Sequence, residues 1–206
     1  MKYIALEGID GTGKSTQVSI QKNIFQEKNI NLSIYNYSDK NNFFGQLIKK
    51  VYKINSKGIF SGLFNPRMIQ ETLYALSARA NLSPNVFKND FVISDRSIIT
   101  AYASHLGILP EWYIDLLEPN FVPDFAIYID IDPVEAMERL QIRQNLLRDE
   151  NYSDLVEFRK AYKRIIYEKR PKKLKNVEFI EMRSVDDLNE NTQQLTSIIE
   201  DILKRK

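Results

Sequence analysis

Cysteine is absent from this chain, histidine and tryptophan occur once each, and only seven glycines and seven prolines are spread over 206 residues. Without cysteine there is no disulfide framework. The N-terminus passes from Met1-Lys2 directly into a core-like apolar segment, with no secretory h-region or cleavage site, so the expected location is cytoplasmic. No apolar run is long enough to cross a bilayer, so no membrane span is expected. Charge of one sign is lacking too: 29 Lys and Arg face 27 Asp and Glu, and the net +2 gives no field that argues for a nucleic-acid partner. Pro/Gly/Ser-rich linkers and internal repeats are missing, so one domain over residues 1–206 is expected.

The few glycines are not scattered. Three of them fall in Gly8-Ile9-Asp10-Gly11-Thr12-Gly13-Lys14-Ser15, a complete G-x-x-x-x-G-K-[ST] phosphate loop. Such a loop curls its backbone N–H groups around the phosphates of a nucleoside triphosphate, and a Cβ at the tightest points would block that approach. Lys14 is placed to reach the β- and γ-phosphates and Ser15 to offer its hydroxyl to Mg²⁺, while the helix opening there adds its positive N-terminal end. The context the motif needs is present. The apolar run Tyr3-Ile4-Ala5-Leu6 precedes it, and a helix follows with Val18 and Phe25 seven apart, Ile20 and Ile24 four apart, and Gln17, Gln21 and Lys22 as polar spacers.

Short β-branched runs alternate with helical stretches: Tyr3 to Leu6, Leu32 to Tyr35, Phe91 to Ser94, Phe125 to Asp130 and Val177 to Ile180. That order predicts an α/β fold with a five-stranded parallel sheet surrounded by helices. The nearly unbroken apolar run 125–129 belongs inside the sheet. Asp132-Pro133 reads as an N-cap and first helical residue, with Val134, Met137 and Leu140 as the buried stripe; Leu195, Ile198, Ile199 and Ile202 mark a terminal helix packed on the sheet. Trp112, Tyr113 and Leu116 read as packing residues and His105 has no assigned part. Ligands of open α/β sheets lie beyond the carboxyl ends of the strands, which singles out residues 10–15, 37–40, 95–100 and 130–132.

In the third of these segments Asp95-Arg96-Ser97 brings a carboxylate and a guanidinium to the edge where phosphates belong. Arg96 is suited to grip a phosphate in bidentate fashion, and Asp95 to sit beside Mg²⁺ or the acceptor phosphate. Together the stretch from Ile4 to Gln17, Asp95-Arg96-Ser97, and Pro123-Asp124-Phe125-Ala126-Ile127-Tyr128-Ile129-Asp130 with Pro133 and Glu138-Arg139-Leu140 resemble the thymidylate kinases over nearly the whole chain. The resemblance implies a P-loop NTPase fold of three α/β/α layers, ATP as donor with Mg²⁺, dTMP as acceptor with dTDP as product, and a homodimer.

Carried over by position, the resemblance gives Gly8, Ile9, Asp10, Gly11, Thr12, Gly13, Lys14, Ser15 and Thr16 to the ATP phosphates and Arg139 to adenine. Asp10 also falls near the 3′-hydroxyl of dTMP, Arg96 on its phosphate and Arg79 at the thymine edge; Lys40, Tyr74, Thr100 and Tyr102 complete the expected acceptor set. A lid is implied near residues 143–154. Because Gly11 stands where some relatives carry a P-loop arginine, the lid is expected to supply the catalytic one, Arg148 first and Arg143 second. The match departs from the family at the acceptor. Ala75 replaces the stacking aromatic four residues before Arg79, Ser97 replaces a tyrosine, and Lys40 stands in place of an arginine; Tyr74, Phe43 and Phe44 are the substitute platforms for the base. Two other readings stay open. A deoxyribonucleoside kinase carries a related acid-Arg-Ser segment, and a regulatory nucleotide-binding protein would hold ATP without transferring it.

Overall fold

The order of elements follows directly from alternating apolar strands and amphipathic helices. The computed structural model describes residues 1–37, 39, 41–55, 66–105, 109–142 and 151–205. The strands are β1 (Lys2–Glu7), β2 (Leu32–Asn36), β3 (Phe91–Asp95), β4 (Phe125–Asp130) and β5 (Glu178–Arg183). The α-helices are α1 (Lys14–Glu27), α2 (Phe43–Asn55), α3 (Pro66–Asn81), α4 (Ile98–His105), α5 (Glu111–Leu117), α6 (Pro133–Ile142), α7 (Tyr152–Tyr167) and α8 (Leu188–Lys204).

All five strands are parallel, in the order β2-β3-β1-β4-β5. The register pairs Leu6 of β1 with Asp95 of β3 and Glu7 with Tyr128 of β4, so β1 and β3 end within one residue of each other and β4 runs two residues further. The period of two along each strand separates the helical layers. Ile4, Leu6, Ile127 and Ile129 pack with Val18 and Phe25 of α1 and with Leu195, Ile199 and Ile202 of α8. On the other face Ala126 and Tyr128 meet α4, α6 and α7, while Tyr3 and Ala5 meet Ala78 of α3. This is the three-layer α/β/α arrangement expected, with β4 inside the sheet.

Four local expectations shift. β5 runs on to Arg183, because Met182 is buried against α8 while its charged neighbours face outward and conceal the strand. On α1 Gln17 and Gln21 are buried and Ile20 and Ile24 only half-buried. The glutamines are matched by a polar ladder from α8: Gln17 donates to Thr192 Oγ1 at 3.1 Å, Gln21 to the Thr192 carbonyl at 3.3 Å, and Thr196 Oγ1 to Gln21 Oε1 at 3.0 Å. On α6 the buried face is Ala136 and Leu140, with Val134 exposed. Its start is as expected, since Asp132 Oδ1 accepts from Val134 N at 2.9 Å and Pro133 opens the helix. Trp112 and Leu116 are exposed, one turn apart on α5, rather than packed.

Candidate active site

The connections after β1 and β3 leave these neighbouring strands in opposite directions, β1 toward β2 and β3 toward β4, and open a crevice at their carboxyl ends. The phosphate loop fills one side of it. Gly11 has φ +87°, and a Cβ there would lie 2.7 Å from the Ala136 carbonyl, so this glycine lets the loop seat against α6. Gly13, at φ +83°, has nothing among the described residues within 4 Å of the Cβ position; it is required for its backbone conformation alone and leaves open space in front of α1. Only the second fits the expectation that glycine clears a path for phosphate. Lys14 lies inside the curl, its Nζ donating to the Ile9 carbonyl at 2.6 Å and Thr12 Oγ1 at 2.9 Å. Burial first, and then the Arg96 guanidinium, lower its pKa to about 8.

β3 supplies the other side. Asp95 accepts a hydrogen bond from the Ser15 hydroxyl through Oδ2, and its Oδ1 is buried with no hydrogen-bond partner among the described residues. Two hard oxygen donors in contact, one with spare capacity, suit a small divalent cation such as Mg²⁺. Arg96 has φ +69°, a left-handed conformation rare for a bulky residue and a marker of imposed geometry. Its backbone N–H donates to the Leu6 carbonyl at 3.0 Å, and its guanidinium to the Gly8 carbonyl at 3.1 Å, the Tyr162 hydroxyl at 3.3 Å and the Asp10 carboxylate. Burial opposes that charge, but Asp10, Tyr162, Asp95 and Glu7 together outweigh it and keep the side chain protonated.

Beneath the arginine is a residue that the sequence reading left without a role. Glu7, fully buried at the end of β1, accepts from Ser97 Oγ at 2.6 Å, Thr100 Oγ1 at 2.7 Å and Tyr162 OH at 2.8 Å. Burial raises its carboxyl pKa against the pull of those three hydroxyls and of Arg96. The available signal was a carboxylate closing an apolar strand immediately before Gly8. Tyr162 had none, for its spacing in α7 is that of a core residue. At the end of β4, Asp130 receives Arg159 at 2.7 and 2.8 Å and Lys163 at 3.0 Å, which hold its carboxyl below the ordinary range despite partial burial.

The crevice thus brings together residues 8–16, Asp95, Arg96 and, through Glu7, Thr100. The remaining candidates lie on surrounding elements. Arg139 is fixed at the turn between β5 and α8, donating to Ser184 Oγ at 2.8 Å, the Val185 carbonyl at 3.0 Å and Asp186 at 3.0 Å. Arg79 closes the end of α5, donating to the carbonyls of Leu116, Leu117 and Glu118 at 3.2, 2.7 and 3.2 Å. Tyr102 is buried, its hydroxyl donating to Asp115, and Tyr74 is half-buried on α3. Ala75 is fully covered, Phe44 half-buried and Phe43 exposed. Lys40, Arg143 and Arg148 lie outside the described residues.

Known proteins resemble this chain over most of its length. Residues 6–181 match the thymidylate kinase family model. A thymidylate kinase of Leptospira borgpetersenii is 32% identical over 174 residues, covering 80% of each chain. One from Caldanaerobacter subterraneus is 28% identical over 177 residues, 80% of this chain and 81% of its own. A probable thymidylate kinase of Pyrococcus abyssi is 26% identical over 196 residues, 92% of each. A family match that begins within β1 and ends within β5 embraces the loop, the Asp95-Arg96 corner and the helices around them: the chain belongs to the thymidylate kinase family.

Proposed function

We propose that the crevice transfers the γ-phosphoryl group of ATP to dTMP, giving dTDP, with residues 8–16 on the donor side and Arg96 on the acceptor side. The observation that carries this is the convergence of Lys14 and Arg96 from adjacent strand ends, each buried and each held by the loop's own oxygens. The acceptor phosphate is already ionised, so no strong general base is required, and catalysis consists of alignment and charge neutralisation. The N–H groups of the loop and Lys14 would bind the donor phosphates. Arg96 would exchange its contacts with Asp10 and the Gly8 carbonyl for two acceptor oxygens, leaving Asp10 to the sugar 3′-hydroxyl. Ser15 and Asp95 would hold Mg²⁺, which would supply positive charge to offset that of the transferring phosphoryl group.

Arg139 would present the face of its guanidinium to adenine while Ser184 and Asp186 hold its edges. Tyr74 and Arg79 on α3 would meet the base, and Lys40, with Thr100 and Tyr102 of α4, would border the acceptor. Arg148, with Arg143 second, would bring transition-state charge from a lid near 143–154 that completes the single kinase domain. We place the enzyme in the cytoplasm with its substrates and expect a homodimer, for which exposed Trp112 and Leu116 offer apolar surface. Among the described residues no helix is long and apolar enough to cross a membrane. The test is steady-state phosphorylation of dTMP, dUMP, dCMP, dGMP, AMP and thymidine by ATP with Mg²⁺. Fastest formation of dTDP supports the proposal; phosphorylation of thymidine with dTMP inert, or no transfer to any acceptor, overturns it.

A further inference from the structure

We infer that Glu7 and Tyr162 are positioning residues for Arg96, and that through the Tyr162 hydroxyl α7 sets where the acceptor-binding guanidinium points. The inference rests on the assignment of Arg96 to the acceptor phosphate. Arg96 stands between two anchors. On its N-terminal side the strand ladder holds it, backbone N–H to the Leu6 carbonyl at 3.0 Å. On its C-terminal side the Glu7 carboxylate takes Ser97 through one oxygen at 2.6 Å and Thr100 through the other at 2.7 Å, drawing the first turn of α4 onto the end of β1. The left-handed φ of +69° falls at the single residue between these attachments. A strained backbone of this kind persists only where the surroundings over-determine it.

Tyr162 then joins the backbone anchor to the side chain. Its hydroxyl donates to Glu7 Oε2 at 2.8 Å, which aims its lone pairs at the Arg96 Nη1 group 3.3 Å away. The ring of Phe158, one turn earlier on α7, lies 5.6 Å from the guanidinium carbon. The same helix grips the end of β4 through Arg159 and Lys163 on Asp130. α7 therefore touches the carboxyl ends of β1 and β4 and the acceptor arginine at once.

The test compares Tyr162→Phe, Arg96→Lys and the double variant, measuring KM for dTMP and for ATP separately. Tyr162→Phe should raise the dTMP KM roughly tenfold, as expected for one hydrogen bond to a charged group, and leave the ATP KM unchanged. In the Arg96→Lys background the same change should have no further effect, because the hydroxyl acts only through the guanidinium. Ser97→Ala, which removes the donor to Glu7 Oε1 without touching α7, should raise the dTMP KM in the same selective way. Multiplicative effects of Tyr162→Phe and Arg96→Lys, or equal losses for ATP and dTMP, would overturn the inference. An unchanged dTMP KM in Arg96→Lys alone would instead remove the assignment of Arg96.

Discussion

Raising the pH from 7 to 9 should uncouple Lys14 from the donor phosphates. Lys14 is 5% exposed, and its ammonium has two oxygen partners within the loop and shares the crevice with the Arg96 guanidinium. Burial and then Arg96 bring its pKa from 10.5 to about 8. On that value about 90% of free enzyme carries the charge at pH 7 and about 10% at pH 9. A bound triphosphate requires the ammonium, so above pH 8 each ATP must bring a proton with it. Calorimetry in two buffers of different ionisation heat should find uptake of about 0.1 proton per ATP at pH 7 and about 0.9 at pH 9. With dTMP saturating, kcat/KM for ATP should fall nearly tenfold per pH unit beyond the break. Lys14→Arg, weaker overall, should lose the break because guanidinium does not titrate there. A flat profile to pH 9.5 with no proton uptake would refute the desolvated lysine.

Arg139→Ala should raise the ATP KM several-fold with the dTMP KM unmoved, and lower stability by about 1–2 kcal/mol through its lost hydrogen bonds; urea melts and separate KM values check both, and an unmoved ATP KM would confine Arg139 to its turn. Glu118, at the end of α5, is pushed up to about 8 by burial and then by Glu71, with Tyr37 and Lys173 nearby and His105 paired to Glu71. Between about 4.5, the ordinary value, and about 8 the unfolded chain loses this proton while the folded one keeps it, so stability falls as pH rises through that window. Glu118→Gln should flatten the slope in urea midpoints, and an unchanged slope would show that Glu118 is not its source.

The donor half of the site was legible because the phosphate loop is local: eight consecutive residues carry its glycines, cation and hydroxyl, and the preceding strand and following helix can be read from periodicity. Strand order was not written in any one segment, yet all five strands were visible because each contains an apolar run, and only the last residues of β5, to Arg183, were concealed by outward charges. The network around Arg96 was illegible for the opposite reason. Glu7, Ser97, Thr100 and Tyr162 are up to 155 residues apart, and nothing in the spacing says that three hydroxyls will converge on one carboxylate. Gln17 and Gln21 misled in the same manner, reading as solvent-facing until α8 is seen to offer threonines to them. Arg79 and Arg139 were marked by family position, and their hydrogen bonds to turns and helix ends show what orients each guanidinium.

The central claim, that ATP and dTMP meet phosphate to phosphate between Lys14 and Arg96, is tested most directly by a crystal structure with adenosine and thymidine joined through a pentaphosphate chain. The account predicts the adenosine-side phosphates on the N–H groups of residues 11–16 and on Lys14, and the thymidine-side phosphate on Arg96 in place of Asp10. Thymidine-side phosphate bound elsewhere, with Arg96 still donating to Asp10 and the Gly8 carbonyl, would contradict it.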